Sequence, residues 1–304
     1  MASDVYAFAL IVYEILTNER AFIELKGIER IYIEVSAHQY RPKFKVSIPQ
    51  CYQDLIESCW SQDPSKRPTF KKIVNILKSE PGFITETIDY DEFIDYTEYI
   101  DDFYLSDENQ PSEREEHKSD ISPNTYIITN AKEKINEGTI NTFSRVIETE
   151  MKTNYFLDLN NYEQKELIRK GEFSKVFSVV HKDTGKVYSA RLSNIDMNLI
   201  TKEEMENIAR EFNQISKLNH HAILQFIGFS PHDFKNQPKP IVVTEMSSNK
   251  TLENILHMER NNISIPNWNS TKKLMNIYGI ASAMKYLHSH HIIHRNLKPS
   301  NIVM

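Results

Sequence analysis

The residues of this chain best placed to do chemistry form one run, His294-Arg295-Asn296-Leu297-Lys298-Pro299-Ser300-Asn301. Two carboxamides, Asn296 and Asn301, flank a lysine, Lys298. Asn296 can hydrogen-bond a hydroxyl, but a neutral amide has no useful basicity near neutral pH and cannot take a proton as a general base. His288, His290, His291 and His294 invite a metal-site reading. No carboxylate or cysteine joins them, so a metal centre is not expected. Cys51 and Cys59 are the 2 cysteines, too few for a disulfide framework or a metal-ligand set, which suggests a reducing compartment.

Composition narrows the classes. The 304 residues are 40% hydrophobic and 26% charged, an ordinary globular mixture with room for one large or two smaller domains. A net charge of −6 argues against a dedicated nucleic-acid binder. The apolar run Val5 to Leu16 is too short to span a membrane and contains Glu14, and no basic leader precedes it, so a cytoplasmic protein without a membrane anchor is expected. Only 7 glycines are present, few for a chain of this length that needs tight turns or close approaches of its backbone.

The run 294–301 resembles the catalytic loop of a protein kinase, H-R-D-x-x-x-x-N. In that family the Asp accepts the proton of the attacking hydroxyl and the final Asn holds a metal ion beside the ATP phosphates. Asn296 stands in place of the Asp. Lys298 and Asn301 match position by position, so the resemblance implies Lys298 near the transferred phosphoryl group, Asn301 as metal ligand and His294 as a core residue. The continuation Leu-Lys-Pro-Ser-Asn is similar to the Ser/Thr-specific form of the loop.

Three stretches must position these groups. Residues 1–79 open on a helical pattern, with Val5, Phe8, Ile11, Val12, Ile15 and Leu16 at three- and four-residue spacings. With Cys59-Trp60-Ser61-Gln62-Asp63-Pro64-Ser65-Lys66-Arg67-Pro68 further on, this part resembles the end of a kinase C-lobe, particularly of tyrosine-kinase-like Ser/Thr kinases. Residues 80–155 read as an acidic and polar linker, partly disordered. Within it, segment 86–108 carries ten acidic residues and no Lys or Arg, interleaved with aromatics. It reads either as a solvated acidic run, the simpler account, or as an amphipathic helix that docks on a basic protein partner.

Residues 156–304 resemble a kinase N-lobe, hinge and start of C-lobe up to the catalytic loop. Gly171 is the surviving middle glycine of a loop that the family writes G-x-G-x-x-G-x-V, with Arg169 and Ser174 in place of the others. Alternation through Val176–Val180 and Val187–Arg191 about Asp183-Thr184-Gly185 reads as a β-hairpin. Arg191 occupies the position of the family's phosphate-gripping lysine, and Glu211, on a helix expected over 202–218, that of its partner. The strand Ile241–Thr244 leads into Glu245-Met246, similar to the hinge that binds adenine, with Thr244 behind it. The resemblance further implies Val176 and Ala190 above the base and Val303 below it.

The expected fold is therefore kinase-like α+β: an antiparallel β N-lobe with one helix, and an incomplete helical C-lobe. No Asp-Phe-Gly occurs in the chain, and the pieces stand in the order C-lobe end, then N-lobe. They fit either the junction of two tandem kinase domains or one permuted fold whose parts dock. For docking, the resemblance makes helix Val5–Leu16 the expected cover for the apolar helix 271–289 and implies that Asp4 reaches His294 and Arg295, while Arg67 is left without its family partner. Family membership implies an ATP-dependent Ser/Thr kinase. Asn296, Arg191, the lost glycines and the missing Asp-Phe-Gly instead favour a pseudokinase-like interaction module that keeps remnants of an ATP site, with Mg2+ disfavoured.

Overall fold

The computed structural model describes residues 1–107, 155–171, 174–247 and 250–304. The polar stretch 111–124, the helical signals of 126–151, Glu108, and Glu172 and Phe173 of the glycine-poor loop lie outside them. The chain divides into two units, Met1–Asn124 with Lys250–Met304, and Thr125–Asn249. The boundary at Lys250 splits the stretch 156–304, so the catalytic-loop run shares a unit with residues 1–79.

The first unit is helical. Helix α1 (Ala2–Thr17) buries Val5, Phe8, Ala9, Ile11, Val12, Tyr13 and Ile15, too many for a one-sided amphipathic helix, and stops at Asn18, whose φ of 56° is left-handed. Short α2 (Ile28–Ser36) buries nothing. Helices α3 (Gln50–Cys59) and α4 (Phe70–Ser79) follow, the latter capped by the Thr69 side chain on the Lys72 N–H. Phe8 and Phe70 meet edge to face at 5.4 Å. Arg67 is not unpartnered: its guanidinium donates to the carbonyls of Ser61 and Ala2, each at 2.9 Å, and lies 5.1 Å from the centroid of the Tyr6 ring. Backbone oxygens and an aromatic face replace the expected carboxylate.

Residues 90–107 correct the solvated-run reading. They form helix α5 (Tyr90–Asp107), and its Phe93, Thr97 and Ile100 are all buried. The partner is α8 (Ser270–Ser289), in the same unit. Phe93 packs edge to face on Tyr278 at 5.7 Å, and the Tyr278 hydroxyl donates to Asp101 Oδ2 at 2.9 Å. Lys78 Nζ reaches the same Asp101 oxygen at 2.8 Å and Lys272 reaches Glu92 at 2.7 Å. Among the described residues, the basic groups that this acidic helix meets are the chain's own Lys78 and Lys272. Gly279 permits the approach, because a Cβ there would stand 2.3 Å from the Tyr96 hydroxyl oxygen.

Helix α8 is enclosed by α1, α4 and α5, and is buried on nearly all sides rather than along one face. Between α5 and α8 in sequence lies α7 (Leu252–Arg260), tied to α1 where Arg260 meets Glu14 at 2.9 Å. Among the described residues no helix is long and apolar enough to cross a membrane.

Among the described residues the second unit is a five-stranded antiparallel sheet with one helix, α6 (Lys202–Ile215). Its strands are β1 (Tyr162–Lys170), β2 (Ser174–His181), β3 (Val187–Ser193), β4 (Phe226–Ser230) and β5 (Ile241–Glu245), ordered β1-β2-β3-β5-β4. The β2–β3 hairpin closes through Gly185 at φ 66°, a value glycine adopts without steric cost. Helix α6 begins in a capping box of Thr201 and Glu204. One apolar cluster, Met197, Ile200, Ile208, Phe226 and Phe229 with Phe212 and Val242, lies between sheet and helix. The other, Tyr162, Val179, Ala190, Ile241 and Val243, covers the opposite face. Strands and helices together give the α+β architecture of a protein-kinase-like fold.

Candidate functional site

In the first unit the run 294–301 is fixed by one buried carboxylate. Asp4 is 1% exposed, and its Oδ1 accepts from the Arg295 N–H at 2.8 Å while Oδ2 accepts from the His294 N–H at 2.9 Å. His288 Nε2 lies 3.0 Å from the same Oδ2. Burial works to raise the Asp4 pKa, but the His288 contact and the two N–H groups outweigh it and hold the carboxyl below the usual carboxylate value. Burial lowers the pKa of His294, against the pull of Asp4, so its imidazole stays neutral. His294 Nδ1 accordingly accepts from the Asn296 N–H at 3.3 Å.

This clamp holds Arg295 at φ 60°, in the left-handed region that a long side chain rarely enters. The turn carries Asn296 around to face Asn301, whose Nδ2 donates to the Asn296 carbonyl at 2.8 Å. That bond orients the Asn301 amide and leaves Oδ1 as its remaining acceptor. Lys298 is exposed in extended backbone at φ −160°. Val303 pairs with Thr251 in an isolated bridge, beside the Leu252 N–H bonded to the Ile302 carbonyl.

In the second unit, register decides which residues share a face. Arg169 pairs with Val176, Val176 with Arg191 and Arg191 with Val242, so the four form a row across β1, β2, β3 and β5. Residues directly opposite in antiparallel strands lie on the same face, and Val242 packs in the cluster beneath α6, so the row faces α6. Glu211 lies on that helix and is 6% exposed. Arg191 keeps access to solvent, and its Nε donates to Ser174 Oγ at 3.2 Å. Desolvation by neighbouring groups, then the charge of Arg169, lower the pKa of Arg191, while Glu211 acts in the opposite sense.

Ala190 is not in that row. It pairs with Phe177 and Val243, is fully buried among Val179, Ile241 and Val243, and points to the opposite face. A base lying on the Arg191 face cannot touch it. Ser189, overlooked in the sequence, occupies that face, two residues before Arg191 as the strand period requires. Its Oγ donates to Met246 Sδ at 3.3 Å, and it pairs with Thr244. The Glu245 carbonyl accepts from Thr244 Oγ1 at 3.3 Å and has a second lone pair for a ligand. The Glu245 side chain is turned back onto the Gln225 N–H at 2.9 Å. Gly171 gives its own N–H to the Ser174 carbonyl at 2.8 Å, closing the β1–β2 hairpin on itself.

Comparison with known proteins places these arrangements. The family model for the protein kinase domain matches residues 162–304, and that for protein tyrosine and serine/threonine kinases matches residues 1–77. The chain belongs to the protein kinase superfamily. Within it, the chain sides with the tyrosine-kinase-like group. A probable serine/threonine-protein kinase of Dictyostelium discoideum is 30% identical over 158 residues, covering 52% of this chain and 32% of that protein. The dual specificity protein kinase pyk3 of the same organism is 24% identical over 304 residues, 99% of this chain and 19% of its own length. An Aurora kinase of Debaryomyces hansenii is 31% identical over 148 residues, 49% of this chain and 33% of that kinase. The chain therefore spans no more than about a third of each of these three relatives.

Kinases of this superfamily use ATP with Mg2+. Asn301 offers the amide oxygen that the family's loop gives to the metal, and Asn296 is a second amide where the family has a carboxylate. Among the described residues no group of three or more His, Cys, Asp or Glu could hold a metal ion. On the sheet of the second unit, Val176 and Ser189 lie on the same face as Arg169 and Arg191.

Proposed function

We propose that this chain is a kinase-fold binding module with an ATP-site remnant and no phosphotransfer of its own. The observation that carries the reading is the state of the catalytic loop. Its backbone is held by Asp4, and Asn301 is oriented on position 296, yet position 296 presents an amide. The scaffold of the loop is kept without its proton acceptor. An amide cannot accept the hydroxyl proton at neutral pH, and positioned general-base catalysis is worth roughly 10²–10⁴-fold. Arg191 adds a second defect, because a wide planar fork replaces a compact ammonium.

In this reading a nucleotide base would sit against Val176 and Ser189, within reach of the Glu245 carbonyl and Met246, with Thr244 behind it. Apolar contact and one or two backbone hydrogen bonds need no metal, so binding outlives catalysis. The module works in the cytoplasm through protein contacts. A basic protein partner would meet Asp91, Asp95, Glu98 and Asp102, the exposed stripe of α5 that also carries Tyr99.

The deciding measurement is incorporation of labelled phosphate from ATP and Mg2+ into a generic basic acceptor. The expected result is none above background. Incorporation that disappears in Lys298→Ala would show an active Ser/Thr kinase and overturn the reading.

A further inference from the structure

Within the first unit, helix α2 (Ile28–Ser36) has little of its own to hold it. Its 9 residues fall short of the roughly 12–15 at which a helix begins to persist alone in water. Gly27 at its N-cap makes no side-chain cap bond, and none of its residues is buried. Yet the helix carries an apolar stripe, Ile28, Ile31, Tyr32 and Val35, at three- and four-residue spacings. Ile31 and Val35 are half-buried, whereas Ile28 and Tyr32 are 83% and 73% exposed. Ile33 beside them and Ile23 in the turn before the helix are also more than half exposed. Among the described residues no other element packs across this outer side.

Ile23, Ile28, Tyr32 and Ile33 together leave on the order of 500 Å² of largely apolar surface bare, in the upper part of the range that monomers show. Two such patches face to face would remove about 1,000 Å² from water, the lower bound of a specific interface. The charges of the patch also match themselves. Lys26 and Glu29 are exposed, and among the described residues neither has an ion-pair partner, whereas Glu24 is held by Lys45 and Arg30 lies 4.0 Å from Glu34. A basic or an acidic partner would leave one of the two unmatched. A two-fold axis sets the same patch of two copies against itself in opposite directions, so Lys26 of each copy can meet Glu29 of the other. Gly27 between them leaves the approach open, because even an added Cβ would find nothing within 4 Å.

We propose that α2 and the turn before it form the interface of a two-fold symmetric dimer of this chain. Ile23, Ile28, Tyr32 and Ile33 of one copy cover those of the other, and Lys26 pairs with Glu29 across the axis. The area is at the small end for a lasting complex, so the dimer forms and dissociates in the micromolar range. The interface belongs to the first unit alone and asks nothing of the catalytic-loop run or of the sheet.

The test is sedimentation equilibrium of the full 304-residue chain from low to high micromolar concentration, where a monomer–dimer equilibrium is expected. Tyr32→Glu should weaken association at least about tenfold, as the loss of a central aromatic anchor does. Lys26→Glu and Glu29→Lys should each weaken it by setting like charges face to face, and the chain carrying both changes should recover the original affinity. An apolar patch that merely sticks to others would show no such recovery. A chain that stays monomeric at high micromolar concentration overturns the proposal, and α2 then has another occupant. A dimer unchanged by Tyr32→Glu, or one that the double exchange does not restore, overturns it as well. Ile28→Asp serves as the second variant: if it or Tyr32→Glu lowers the melting temperature of the dilute monomer, that side chain packs within its own copy and the proposal is wrong.

Discussion

Asp4 is the residue on which most of the loop geometry depends. Its two oxygens satisfy two main-chain donors and a histidine, and they hold Arg295 in a conformation it would otherwise leave. Asp4→Ala strands both N–H groups, so the melting transition should show a loss of about 2–5 kcal/mol, with Asp4→Asn losing less because it keeps one acceptor. Acid should act in the same direction. Both Asp4 and His294 have pKa values below their ordinary ones in the folded chain, so each contributes stability that is complete above its unfolded value and is lost as pH falls through the folded one. Denaturant midpoints should therefore begin to fall below about pH 6.5, where unfolded histidine protonates, and fall further below about pH 4. In Asp4→Asn the second decline should be shallower. A midpoint that rises on acidification would contradict this account of the clamp.

At the scale of elements, the contact of α5 with α8 is the feature most open to test. Gly279 lets the Tyr96 hydroxyl lie where a Cβ would go, while the ring carbon that bears it is 3.4 Å from that position. Gly279→Ala should destabilise by roughly 1–3 kcal/mol through overpacking. Tyr96→Phe removes only the clashing oxygen, so the double variant should recover most of the loss. Simple additivity of the two changes would show that α5 does not pack there. Phe93→Ala should cost about 3–5 kcal/mol, because the ring is buried against Tyr278. Amide exchange should then quicken along α5 before it does so in α4.

For the molecule as a whole, the prediction concerns residues 1–107 and the stretch from 250 onward, which build one helical core although far apart in sequence. Helix α8 does not bury its sides against its neighbours in sequence, since α1, α4 and α5, all far upstream, cover them. The two parts, expressed as residues 1–107 and 155–304, should associate and co-elute at micromolar concentration. Asp4→Ala should weaken that association by about 1–3 kcal/mol. Independent elution at high micromolar concentration would mean that the two parts fold as pieces of different domains, joined in tandem.

Most of the elements and the family were legible in the sequence because they rest on local spacing. The three- and four-residue periods of α1 and α8, the alternation of β2 and β3, and the runs 294–301 and 59–68 each need only neighbouring residues to be read. So was the chemistry of position 296, which depends on side-chain type alone. The face on which Ala190 lies was not legible, because one step along a strand reverses the side and only pairing with Phe177 and Val243 fixes it. Nor was the order in α5: ten acidic residues look solvated until Lys78, Lys272 and the Tyr278 ring are brought beside them from distant parts of the chain. The partners of Arg67 and the contact of His288 with Asp4 belong to the same class. They are long-range contacts, set by how helices pack and not by what stands next in the chain.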